Sequence, residues 1–177
     1  MNWLIFDAET TGLLKHPAAK DEVQPRIIEW AGVLVNGEGE VLDDLSLLIN
    51  PGQKLEEVIT KITGLTDKDL ADEPPFEVVA PAIRHIFSRA DGMIAHNLPF
   101  DYWVLEGELR RNGLAEGWPW PDERICTVQE FAEEWGRRPR LVELYENLIG
   151  KPLDQTHRAL DDVMALVEVV RAGGVIR

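Results

Sequence analysis

The sequence predicts an α/β layered domain, a mixed sheet covered by helices, and two observations carry that prediction. Three largely apolar runs separated by turn signals lie within the first fifty residues. Beyond Asn50-Pro51-Gly52, short apolar runs alternate with stripes of apolar residues spaced three and four apart. Short apolar runs bounded by turn residues are the mark of buried strands, and three-four spacing is that of a helix face. At 177 residues the chain fits one domain spanning residues 1–177, since a length near 150 is the usual size of one.

The elements follow in order. Trp3 to Phe6 is an apolar run ending in Asp7, the pattern of a buried central strand, and Thr10-Thr11-Gly12 breaks it. Lys15 to Arg26 is polar, contains Pro17 and Pro25, and reads as a loop. Ile27–Val35 and Val41–Ile49 are apolar runs separated by a turn that begins at Asn36-Gly37, a hairpin signal. Phe76, Val79, Ile83 and Ile86 mark a helix with Pro81 as a local irregularity. Gly92–Ala95 is expected to be a fourth strand. Leu98, Tyr102, Leu105 and Leu109 mark the next helix, which Gly113 is placed to stop. Arg124–Thr127 is expected to be a fifth strand. Leu141, Leu144, Tyr145 and Leu148, closed by Gly150, form one late helix; Leu160, Val163, Val167 and Val170, closed by Gly173-Gly174, form the last.

Composition narrows the function. Apolar residues at 45% and charged residues at 28% are ordinary globular values. The N-terminus has no signal-peptide pattern, no run reaches the roughly 20 apolar residues that span a bilayer, and Cys126 has no cysteine to pair with. A cytoplasmic protein without a membrane partner is expected. The net charge of −14 repels a phosphate polymer, which disfavours nonspecific coating of duplex DNA and leaves open an enzyme that grips a few nucleotides through bound cations.

Asp7 and Glu9 stand two apart at a strand end, so both carboxylates face one point. Two such charges need a proton or a cation between them, and hard ions such as Mg²⁺ or Mn²⁺ prefer oxygen ligands. The pair alone is weak, because a chain with 13 Asp and 19 Glu holds about one by chance. Asp101, at the start of a helix, reads by itself as a helix cap. Asp162 lies between Leu160 and Val163 of the last helix, five residues after His157, and a histidine is the natural base for activating water near neutral pH.

Taken together, these segments resemble the DEDDh 3′–5′ exonucleases, the DnaQ-like proofreading group. The resemblance rests on Phe6-Asp7-Ala8-Glu9-Thr10-Thr11-Gly12-Leu13, Ile62-Thr63-Gly64-Leu65-Thr66, His96-Asn97 through Phe100-Asp101, and His157-Arg158-Ala159-Leu160-Asp161-Asp162. It implies a ribonuclease-H-like fold, a mixed five-stranded sheet flanked by helices. It implies Asp7, Glu9, Asp101 and Asp162 as metal ligands, with His157 completing the catalytic set, and leaves out Asp161. It also sets Thr10, Thr11, Leu13, Ile62, Gly64 and Asn97 near the terminal nucleotide, and Phe100 is a candidate for stacking on its base. Cys126-Thr127-Val128 replaces the Asp-Thr-Leu that many members carry. Thr10 after the glutamate is like the proofreading enzymes, while the histidine segment also occurs in oligoribonucleases, so the choice between DNA and RNA stays open.

Phosphodiester hydrolysis needs a water nucleophile and neutralised charge, and two divalent cations, Mg²⁺ or Mn²⁺, match the −4 of four carboxylates. Asp7 is expected to bridge the two ions, Glu9 and Asp162 to hold the one nearer the water, and Asp101 to support the other. Arg137, Arg138 and Arg140 are candidates for holding the backbone or form a solvated loop. The expected partner is the 3′ end of a single strand, DNA before RNA, with any role in replication requiring a separate polymerase. The competing readings are a ribonuclease trimming RNA ends, a noncatalytic docking module on the same fold, and a phosphohydrolase of free nucleotides.

Overall fold

Sequence period and burial agree most closely in the first strand. The structure is a computed structural model that describes residues 1–16 and 19–176. The first apolar run forms β1 (Trp3–Thr10), which continues through Asp7 and Glu9 rather than ending there. Leu4, Phe6 and Ala8 pack to one side of the sheet, and Trp3 and Ile5 to the other. That alternation is the pleat of a strand buried on both faces. β2 (Ile27–Val35) is buried along its whole length, and β3 (Val41–Leu48) is an edge strand that leaves Val41 and Leu42 about half exposed. The turn between them is held by the Asn36 carboxamide oxygen, which accepts the N–H groups of Glu38 and Glu40. The expected polar loop carries a 3₁₀ turn at Asp21–Val23, and Pro17 lies outside the described residues.

β4 (Gly92–Ala95) has the expected bounds, and β5 (Glu123–Cys126) ends one residue early because Thr127 already begins a helical turn. The strand order is β3-β2-β1-β4-β5, with β1 antiparallel to β2 and parallel to β4. The mixed five-stranded sheet flanked by helices is therefore present, as predicted.

Four short helices had no periodic signal: α1 (Glu57–Thr63), α2 (Asp67–Leu70), α5 (Thr127–Glu130) and α6 (Ala132–Trp135). One or two turns are too short for a repeat to show. The longer helices match their stripes. They are α3 (Phe76–Phe87), α4 (Leu98–Arg111), α7 (Leu141–Ile149) and α8 (Ala159–Ala172). Pro81 sits inside α3 without ending it. Helices α3 and α4 cover the Leu4–Phe6–Trp30 face, where Phe87 meets Phe6 edge-on with ring centres 5.4 Å apart. Helices α7 and α8 cover the other face through Leu144, Val163, Leu166 and Val170. Asp7 and Glu9 continue the odd-numbered series of Trp3 and Ile5, so the period of two directs them to the α8 side.

Candidate active site

Three elements bring the acidic residues to one end of the sheet. β1 supplies Asp7 and Glu9, the first turn of α4 supplies Asp101, and the first turn of α8 supplies Asp162. Asp101 is not the cap that its position alone suggested. Asn97 occupies the cap position in the left-handed conformation, φ 76°, and Asp101 is buried with 2% exposure. Its Oδ1 accepts the N–H of Ala8 at 3.2 Å, which ties α4 to β1 between the two strand carboxylates.

On the other flank, one donor atom each from Glu9, His157 and Asp162 fall within 4.8 Å of one another. Asp162 accepts from the Gln155 carboxamide at 3.3 Å. His157 is exposed and has φ 51°, a left-handed conformation uncommon outside glycine. All five residues expected to do the chemistry therefore gather at one end of the sheet.

The electrostatics are those of crowded carboxylates. Burial first, then the charges of Asp7, Asp162 and Glu29, push the Glu9 carboxyl up to about 8, with Arg158 pulling the other way. Burial, then Asp162 and Glu29, raises Asp7. Burial, then Asp7, lifts Asp101 well above the usual carboxylate range. Asp162 is raised by burial too, while Gln155 and His157 hold it back. Acids that resist ionising in one another's field form a donor set suited to a hard divalent cation, because a cation's charge reverses that cost. The residues present fit such an ion.

Beside the carboxylates lies a cleft of about 670 Å³. Thr10, Thr11, Leu13, Ile62 and Phe100, which the sequence reading set near a terminal nucleotide, line it. Gly64 and Asn97 do not. Gly64 terminates α1 at φ 74°, and Asn97 accepts a bond from Arg138 Nη2 at 2.7 Å. The threonine hydroxyls are partly committed within the fold: Thr10 donates to the Gly12 carbonyl and Thr11 accepts the Arg26 N–H. Leu13 stands 77% exposed at the lip. The arginine loop is less free than a solvated cluster. Arg137 and Arg140 both donate to Glu143, and Arg138 reaches Asn97.

Glu29 was missed by the sequence reading. It sits opposite Glu9 in the β1–β2 register, only 2% exposed, and pairs with Arg158 at 2.9 Å. The available signal was a charged residue inside the otherwise apolar run Ile27–Val35. His96 was likewise unassigned. Burial lowers its pKa to about 4, and its Nδ1 lies 3.0 Å from the Thr127 hydroxyl.

Comparison with known proteins places the chain among nucleases. The RNase_T family model, described as exonuclease, matches residues 4–170. A bifunctional exonuclease/endonuclease protein of Mycobacterium tuberculosis is 29% identical over 174 residues, which are 96% of this chain and 26% of the relative. The PolC-type DNA polymerase III of Listeria welshimeri is 31% identical over 168 residues, 92% of this chain and 10% of the polymerase. The chain thus spans about a quarter and a tenth of those relatives. Among solved structures, the nuclease domain of 3′hExo, a DEDDh family member bound to rAMP, superposes with a TM-score of 0.74 at 17% identity. That match covers 96% of this chain and 90% of that domain, a likeness of fold. No helix among the described residues is long and apolar enough to cross a membrane.

Proposed function

Because the chain belongs to the RNase_T exonuclease family, we propose that it is a metal-dependent 3′–5′ exonuclease. It acts on the 3′ end of single-stranded or frayed DNA and releases nucleoside 5′-monophosphates. The observation that supports this most is the convergence of Asp7, Glu9, Asp101 and Asp162 from three elements, with His157 beside them. We further propose that residues 1–177 act as a single exonuclease domain.

Asp7, Glu9, Asp101 and Asp162 would hold two divalent cations, Mg²⁺ or Mn²⁺. When bound, the ions supply positive charge and Lewis acidity at the scissile phosphate. The rest belongs to the chain. A ring nitrogen of exposed His157, which lies beside the Asp162 carboxylate, takes a proton from the attacking water. Leu13 and Phe100 flank the terminal base, and the volume of the cleft lies within the roughly 300–1,000 Å³ of small-ligand sites. The −14 charge of the chain disfavours a long duplex and leaves specificity to these few contacts.

DNA is favoured by the likeness to PolC-type polymerases, one of which would also be the kind of separate partner that presents a frayed 3′ end. RNA is the second reading, favoured by the fold shared with a nuclease domain bound to rAMP. One experiment tests both: digestion of matched DNA and RNA strands labelled at the 3′ or the 5′ end, with and without Mg²⁺ or Mn²⁺. Stepwise release of the 3′ label, only with the ion present and faster from DNA, is expected. Cleavage from the 5′ end or cleavage in EDTA refutes the reading, and faster loss from RNA transfers it to the second.

A further inference from the structure

Glu29 stands buried in β2 with Asp7, Glu9 and Asp162 in its field, a costly place for a carboxylate outside the proposed catalytic set. Among the described residues, every hydrogen-bond partner of its side chain comes from one distant segment. Arg158 Nε donates to its two oxygens at 3.2 and 3.0 Å, Arg158 Nη2 at 2.9 Å, and the Ala159 N–H at 3.2 Å. The bonds join residues 129 and 130 positions apart in sequence. A planar guanidinium fork on a carboxylate fixes direction as well as distance.

Beyond the packing of Leu153 against the α8 side of the core, the segment it holds has little else to define it. Residues 151–158 form no helix or strand, and His157, next to their end, is left-handed. Its other side-chain bonds are local, from Thr156 to Asp161 at 2.6 Å and from Gln155 to Asp162. They set its shape and do not attach it to the sheet. α8 also lacks a side-chain cap of its own. Glu29 caps it from β2 by accepting the Ala159 N–H, a favourable place for a carboxylate. The Asp162 N–H in turn donates to the Arg158 carbonyl at 3.1 Å. His157 therefore lies immediately before the clamped residue, and Asp162 one helical turn after it.

We infer that Glu29 and Arg158 are a positioning pair: the clamp holds His157 and Asp162 in register with Asp7 and Glu9. This rests on the function proposed above. An ion pair that only stabilised the fold would not need to lie between the two residues of the chemistry. A fifth cation ligand would not be neutralised by two guanidinium nitrogens.

The test uses the full chain with Glu29→Gln, which keeps shape and removes charge, and Arg158→Lys, which keeps charge and removes the fork. Three quantities are read: kcat and KM on a labelled single strand, Mn²⁺ affinity, and amide hydrogen exchange. Both variants are expected to lose about 10–100-fold in kcat and about 10-fold in Mn²⁺ affinity, the usual cost of losing a partner behind a ligand, with KM little changed. Exchange should quicken in residues 151–158 while β1 and β2 keep wild-type protection. Unaltered exchange there, or a loss of kcat that tracks a general loss of protection, overturns the inference. So does abolition of Mn²⁺ binding by Glu29→Gln alone, which would make Glu29 a ligand. If the wild-type chain cleaves nothing, the proposed function falls. The exchange and Mn²⁺ readings still decide the role of the pair.

Discussion

Raising the pH of the cation-free protein from 6.5 to 8.5 should destabilise it, and the carboxylate cluster sets how much. Glu9 holds its proton up to about 8 in the folded chain, through burial and the charges of Asp7, Asp162 and Glu29, against 4.5 for the free group. The folded state therefore binds a proton that the unfolded state has released, and stability falls with rising pH throughout the interval between those values. Between pH 6.5 and 8, one such group costs at most about 2 kcal/mol, and Asp7 and Asp101 are raised in the same sense. Relaxation and water entry reduce the total, so a loss of about 1–3 kcal/mol is expected, a fall of roughly 2–10 °C in Tm for a chain of this size. His96 gives the opposite slope, because burial lowers it to about 4 and its unfolded value is 6.5. Its contribution is nearly complete by about pH 7.5 and offsets only roughly 0.4 kcal/mol at the start of the window. Calorimetry in EDTA, read as the difference between wild type and Glu9→Gln, isolates the effect, and 5 mM Mg²⁺ or Mn²⁺ at about pH 8 should raise Tm and flatten the slope. A cation-free Tm that stays level from pH 6.5 to 8.5, or a slope undiminished in Glu9→Gln, would refute the reasoning.

Other outcomes follow from the same geometry. His157→Asn, chosen because asparagine tolerates the left-handed backbone at φ 51°, should lower kcat about 10²–10⁴-fold in single-turnover assays; a wild-type rate would remove the general base. Asp101→Asn should diminish the Mn²⁺-induced rise in Tm and cost roughly 10²–10⁴-fold in rate, as the loss of several kcal/mol of charge stabilisation requires. Leu13→Ala should raise KM for a single strand about 5–100-fold if a base stacks there, with little change in Tm because the side chain is 77% exposed. An unchanged KM would place the base elsewhere.

The apolar runs Trp3–Phe6, Ile27–Val35 and Gly92–Ala95 announced the three strands that occupy the middle of the sheet, because strands covered on both faces need apolar residues at every position. The stripes of α3, α4, α7 and α8 were equally plain. The period of two put Asp7 and Glu9 on one face without any coordinates. The single-turn helices were illegible, since one turn holds too few residues to repeat. The exposed edge strand β3 read like its neighbours, because Val41, Leu42 and Leu45 do not reveal which strand will lie outermost.

What the sequence determined by itself is local: period, turns, the spacing of His157 and Asp162, and the motifs that name the family. What only the tertiary structure decided is where charge is buried. Asp101 reads as a cap and Glu29 as one stray acid in an apolar run. Their roles appear only when Ala8 meets the first and Arg158 the second, across 93 and 129 residues. Burial and electrostatic fields arise from neighbours in space, and the long contacts that supply those neighbours leave no period in the chain.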